Sequence, residues 1–241
     1  MSLLDHVAWT TLSEQPVLEV GLTVLAFLAA VRIARLGGNH PLLNPTLIAI
    51  LLVAFLIKLM GVPYATYLRG AGFISFLLGP AVVLLAVPLY RQTRLIRASG
   101  HLILVALAVG LPAGVLSAVG IAWCLGASRP TLLSLAPKSV TAGIAVGISE
   151  SIGGVPALTA VLVISTGITG AILGPWLSKL LRLRDDRVTG LAIGIASHGI
   201  GTARALQISE VAGAFAGLGM GLNGISTAVL LPLLVHLLPA G

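Results

Sequence analysis

Charged residues are so sparse in this 241-residue chain that they cut it into apolar stretches of membrane-spanning length. Between consecutive charges lie uncharged runs at Leu36–Ile57, Gly70–Tyr90, Ala98–Ser128, Ser151–Ser178 and Val211–Gly241, of 22, 21, 31, 28 and 31 residues. About 20 apolar residues carry an α-helix across a bilayer core, so each run is long enough to cross. With 57% of residues hydrophobic and only 9% charged, a soluble globular enzyme is excluded. A β-barrel is excluded as well, because barrel strands alternate apolar and polar positions and these runs are apolar on both parities. The fold class read from the chain is an all-α polytopic integral membrane protein of six to eight helical segments.

The spacing predicts spans at Pro16–Leu36, Pro45–Met60, Gly72–Tyr90, His101–Leu125, Pro137–Ile152, Pro156–Leu180, Val188–Ile208 and Val211–Leu238. Two of them are poor hydropathic spans. Pro137–Ile152 holds Lys138 and Glu150, and Gly194–Arg204 reads GIASHGIGTAR. Loosened, polar backbone persists at membrane depth only against protein or a wet cavity, so both are expected to be discontinuous or re-entrant helices. Six to eight crossings follow, depending on whether Pro137–Ile152 crosses or re-enters.

The net charge of +7 is a topology signal rather than a nucleic-acid footprint, because the cations stand at the ends of apolar runs. Arg32 and Arg35, and then Arg91, Arg94 and Arg97, share one side, expected to be cytoplasmic. Residues 1–16 are expected to form a short extramembrane segment, and the cation placement puts this acidic amino terminus, with Asp5 and Glu14, outside. That segment lacks the basic region of a cleaved signal peptide. Cys124 is the single cysteine, so no intrachain disulfide can form. The five histidines show no metal-ligand spacing, no nucleotide-binding motif occurs, and neither a metal nor a cofactor is expected.

The chain also carries a weak internal repeat. Gly61-Val62-Pro63, Gly79-Pro80 and Arg91 correspond to Gly154-Val155-Pro156, Gly174-Pro175 and Arg182, while Pro45-Thr46 corresponds to Pro137-Lys138. Residues 41–125 and 137–238 are the candidate halves, within one transmembrane domain spanning 1–241. An odd number of crossings between them would invert the second half, the arrangement that builds mid-membrane sites from broken helices.

The polar residues inside apolar runs are the candidates for chemistry. An acidic side chain at membrane depth costs about 2.5–3.5 kcal/mol on insertion scales. Glu150, between Ser149 and Ser151, therefore reads as an ion-coupling group, or else as an interfacial carboxylate capping a helix. Arg204 presents a planar fork suited to a carboxylate, with Thr202 and Ser197 as half-helix caps beside it. It competes with a plain ion pair to Glu210, and His198 with a buried, hydrogen-bonded histidine. Lys138 opposes the dipole at a helix start, which points either to an anion held with Ser139 or to a lysine reaching water. Asn223, between Gly221 and Gly224, reads as a substrate ligand or a polar helix–helix contact. The small-residue faces Gly217–Gly221–Gly224 and Gly143–Gly147 read as close helix packing.

The segments LAPKSVTAGIAVGISES (Leu135–Ser151), Gly154-Val155-Pro156-Ala157-Leu158-Thr159 and GLAIGIASHGIGTARA (Gly190–Ala205) resemble the LrgB/CidB family, over roughly residues 17–238. The resemblance implies a bacterial inner-membrane protein working with a small LrgA/CidA-like membrane protein, and a homodimer is a further candidate assembly. Members were described as holin/antiholin-like modulators of murein hydrolase export and autolysis. The related plant chloroplast protein moves glycolate and glycerate, and bacterial relatives are connected with pyruvate uptake. The leading expectation is thus a secondary transporter of small monocarboxylates, proton- or cation-coupled. The substrate would meet Arg204, His198, Lys138, Ser139, Thr202 and Asn223. The alternative is a holin-like regulator of autolysis.

Overall fold

The computed structural model describes residues 16–38, 43 and 45–237, and among them every regular element is helical. The expected extramembrane segment and its acids Asp5 and Glu14 lie outside the described residues. The helices are α1 (Pro16–Leu36), α2 (Pro45–Leu59), α3 (Tyr64–Gly70), α4 (Gly72–Leu84), α5 (Ala86–Arg91), α6 (Thr93–Ala98), α7 (Gly100–Cys124), α8 (Arg129–Leu135), α9 (Ala142–Ile152), α10 (Pro156–Leu180), α11 (Asp186–Leu206) and α12 (Glu210–Leu237). They form two compact units, residues 1–84 and 85–241.

In the first unit α2 and α3 bend by 119° at a break where Gly61 takes φ +67°. Glycine reaches that left-handed conformation without a Cβ clash. Against α1, the Thr23 and Tyr67 hydroxyls lie 2.8 Å apart, and the Glu19 carboxylate is buried beneath Gly70, where a Cβ would come 2.5 Å from it.

In the second unit the polarity is inverted relative to a soluble protein. Leu104, Leu116 and Trp123 are about two-thirds exposed, whereas Ser134, Ser149, Thr159, Ser197, His198, Thr202 and Asn223 are buried. That distribution suits a hydrocarbon surround, where polar groups find partners only inside.

Among the described residues four helices, α1, α7, α10 and α12, are long and apolar enough to cross a membrane, and five spans result if α2–α3 counts as one. The total is below the expected six to eight because three expected spans are in pieces. Gly72–Tyr90 is divided between α4 and α5, Pro137–Ile152 yields only the eleven-residue α9, and α11 breaks at His198.

Both poor spans are re-entrant hairpins. A Cβ on Gly154 would lie 3.0 Å from the Ser134 backbone nitrogen, so residues 134 and 154 are neighbours and the chain between them goes in and returns. Val155 N donates to Ser134 Oγ (2.7 Å), and Thr159 Oγ1 reaches both Ser149 Oγ (2.7 Å) and the Ser134 carbonyl (3.1 Å). These bonds pin both ends of the first hairpin to the start of α10. Gly153, at φ +87°, caps α9 in the left-handed region.

The second hairpin enters from the opposite end of the unit. Along α10 the partners run in reverse order: a Cβ on Gly174 would meet Ile193, one on Gly170 would overlap Ser197 Oγ, and one on Gly167 would come 2.7 Å from His198 Cε1. The first half of α11 is therefore antiparallel to α10. At His198 the backbone turns through φ +42°, ψ −137°. For a residue with a Cβ such a conformation costs about 1–3 kcal/mol and persists only when its surroundings hold it. Here His198 Nε2 donates to the Val163 carbonyl (3.0 Å). The chain then folds back, so that a Cβ on Gly201 would come 3.0 Å from the Ile193 carbonyl oxygen. Ser209 Oγ donates to Asp186 Oδ2 (2.6 Å), which brings the two ends of residues 186–209 together.

Candidate functional site

The two hairpin tips meet on Asn223. This residue is the fourteenth of the 28 in α12, about 20 Å from either end. Its Nδ2 donates to the carbonyl of Ser139 in the first tip (3.2 Å) and to that of Ile195 in the second (3.0 Å). A single side-chain amide thus satisfies two carbonyls freed where two helices break, one from each face of the unit. Asn223 Oδ1 and Ser197 Oγ, both buried, have no hydrogen-bond partner among the described residues.

Against the tips lies a cavity of about 900 Å3. Lys138, Ser139, Ser197, Asn223 and Thr227 line its mid-membrane end, Ser165, Thr166 and Thr169 of α10 line its side, and among the described residues no Asp or Glu lines it. Lys138 Nζ donates to Ser139 Oγ (3.2 Å), leaving capacity for further acceptors. The Lys138 ammonium and the Ser139 and Ser197 hydroxyls can hold an anion, whereas Asn223 Oδ1 is an acceptor and suits a water or a protonated oxygen. At the other end the lining is Leu177, Ser178, Leu181, Leu183 and Val188, towards the end of the unit that carries Arg182 and Arg187.

The expected site residues divide by location. Lys138, Ser139 and Asn223 come together on the cavity. His198 and Thr202 are buried beside it and outside its lining, with Thr202 Oγ1 donating back to the His198 carbonyl (2.8 Å) as part of the turn. Arg204 lies outside the lining too: it is carried back with the returning arm and donates to Gln207 Oε1 (2.7 Å). Glu210, its proposed alternative partner, instead faces Arg91 at 3.6 Å. Glu150 is exposed at the carboxyl end of α9, Ser151 Oγ donates to the Ile148 carbonyl (2.7 Å), and Ser149 belongs to the Thr159 clamp.

The small-residue faces also fall differently. A Cβ on Gly143, Gly147 or Gly221 would meet nothing within 4 Å, whereas the tightest helix contact uses Gly190 and Gly194, which sit on the carbonyls of Ala212 and Ala216. The signal for this contact is a paired i, i+4 spacing of small residues, Gly190/Gly194 against Ala212/Ala216, which the expected small-residue faces do not include. The Ser134–Ser149–Thr159 clamp left no comparable signal, since its members are ordinary helix-interior hydroxyls.

At the mouth of the second hairpin Asp185 caps α11, accepting from Arg187 N (2.9 Å), and pairs with the Arg187 guanidinium at 2.6 Å. Arg187 Nη1 also donates to the buried Ser99 Oγ (2.9 Å). The Arg187 hydrogen bond holds the Asp185 carboxyl below the usual carboxylate range. A depressed carboxyl is charged above its unfolded value, so this clasp persists at neutral pH and loosens only on acidification through that lowered range.

An all-helical, multi-pass membrane protein in which two re-entrant hairpins meet at mid-span over a shared cavity is the class that fold and site define. The chain belongs to the LrgB-like family, whose profile matches residues 23–237. It is similar to the "Uncharacterized protein YxaC" of Bacillus subtilis (strain 168), at 39% identity covering 90% of this chain and 94% of that protein. It is also 34% identical to the "Holin-like protein CidB" of Staphylococcus aureus (strain Mu50 / ATCC 700699), covering 92% and 97%. Bacillus subtilis YwbG matches at 34%, covering 89% and 95%. No solved structure matches.

Proposed function

We propose that the chain binds a monocarboxylate in the cavity between the two hairpin tips and passes it across the membrane by alternate movement of the hairpins. The observation that carries this reading is Asn223 bonded to both tips beside a cavity whose only charged lining residue, among the described residues, is Lys138. Lys138 holds the carboxylate, with Ser139 and Ser197 as hydroxyl ligands. Arg204, at the returning end of the second hairpin, attracts the anion rather than seating it. Glycolate, glycerate and pyruvate are the acids to test first. The arginine-bearing ends face the cytoplasm in this reading.

Lys138→Met is expected to reduce saturable uptake of radiolabelled pyruvate and glycolate into proteoliposomes at least tenfold while the protein still inserts and folds. Each tenfold corresponds to about 1.4 kcal/mol of lost carboxylate binding. Uptake at the unsubstituted rate would refute the site.

A second reading has its own support in the printed name of the staphylococcal relatives, "Holin-like protein CidB". On this reading the chain assembles with an LrgA-like membrane partner or with itself and governs murein hydrolase release. It predicts that proteoliposomes release a trapped dye too large for the cavity, insensitive to Lys138→Met. A carboxylate carrier retains that dye.

A further inference from the structure

Resting on the carboxylate reading of this site, we infer that its preferred ligand is an amphipathic monocarboxylate with an aliphatic tail, rather than an acid of two or three carbons. The described lining is polar mainly where the hairpin tips lie; towards the far end of α10 it carries one hydroxyl, Ser178, among leucines. From Gly170 the lining continues along α10 through Leu173 and Leu177 to Leu181, a rise of about 16 Å, and the facing wall carries Val105 and Val109 of α7. At 900 Å3 the cavity has room for about 30 waters. A two-carbon acid bound at Lys138 would leave most of that space as water against leucine and valine. An aliphatic tail fills it, and burying each methylene strengthens binding about fourfold.

Charge fixes the orientation. Lys138 is at the deep end and no acid lines the cavity, so the head group goes to the tips and the tail points along α10. The unpartnered Ser197 Oγ and Asn223 Oδ1 also lie at the head-group end, where a water or a protonated oxygen of the head group reaches them. A bilayer acyl chain entering from the arginine-bearing end would run the other way, bringing a methyl group to the lysine, and is disfavoured.

The test is calorimetric titration of the full chain in nanodiscs with acetate, butyrate, hexanoate and octanoate, alongside empty nanodiscs, Lys138→Gln and Leu177→Trp. Affinity is expected to rise about fourfold per methylene, roughly 200-fold from acetate to hexanoate. Lys138→Gln should lose binding across the series, and Leu177→Trp should lower octanoate affinity at least tenfold with a smaller change for acetate. A flat series, with acetate and pyruvate still bound through Lys138, would overturn the tail preference and leave the carboxylate site standing. An equal rise in Lys138→Gln would mean partition into lipid and would overturn it too. Failure of every acid to bind would remove both readings.

Discussion

Gly194→Val is expected to abolish the folded protein: no monodisperse species in detergent, and no thermal transition where the unsubstituted chain shows one. A Cβ at 194 would overlap the Ala216 carbonyl oxygen and come 2.7 Å from its carbon. These are backbone atoms of α12, held by its helical hydrogen bonds, so no rotamer change relieves them. One turn earlier Gly190 meets Ala212 in the same way, and from the other side a Cβ on Gly219 would come 3.2 Å from the Leu191 carbonyl oxygen. Relief requires moving the first arm of the second hairpin off α12, which also breaks the Asn223–Ile195 bond. Overpacking usually costs about 1–3 kcal/mol, and an unyielding backbone puts this case above that range. Gly221→Val is the control: open space surrounds that position, and since valine is no poorer a helix former than glycine, stability should change by well under about 1 kcal/mol. Equal stability of the two variants would refute the packing described for α11 and α12.

Asn223→Leu is expected to leave a folded protein whose hairpins no longer stay in register. Leucine keeps the branching at Cγ, is somewhat larger, and removes the donor, so the Ser139 and Ile195 carbonyls both lose their partner. Leaving a buried carbonyl unpaired costs about 1–3 kcal/mol, and measured side-chain bonds between membrane helices average nearer 0.6. A loss of about 1–4 kcal/mol follows, seen as a fall of several degrees in melting temperature. Because both tips are released, saturable carboxylate uptake should drop ten- to a hundredfold. In a background where the exposed Cys124 has been replaced, a Ser139→Cys probe should become several times more reactive towards a water-soluble maleimide in the Asn223→Leu protein. Unchanged uptake together with unchanged labelling would show that the amide is a passive contact.

How much of this was legible in the sequence depends on the residue. The long spans were, because an uncharged run of 20 or more residues has few alternatives in a bilayer; α1 and α10 coincide with their expected limits. The two re-entrant elements were also visible, through Lys138 and through the glycines and hydroxyls around His198. The fold-back itself was not. A six-residue separation between His198 and Arg204 looks the same whether the helix continues or reverses, and only a positive φ at a non-glycine residue decides it. That one dihedral carries Arg204 away from the cavity towards the end of the hairpin. Glu150 was misleading for a related reason: its distance from other charges in sequence suggested depth, yet the hairpin returns it to an exposed position. Lys138, Ser139 and Asn223 were individually conspicuous. That one amide would join segments 84 and 28 residues away from it is tertiary information.

The hairpins also constrain how the molecule is made. Neither is a spanning helix, so neither is committed to the bilayer on its own hydrophobicity as it leaves the ribosome. The first is complete at Gly153, some 70 residues before Asn223 is synthesised. Until α12 arrives, the Ser139 carbonyl has no Asn223 donor and the second hairpin has no backbone groove to lie in. Assembly of the centre is therefore post-insertional and depends on the last helix, so a ribosome stalled before codon 223 holds a chain with its outer spans placed and both hairpin tips still undocked.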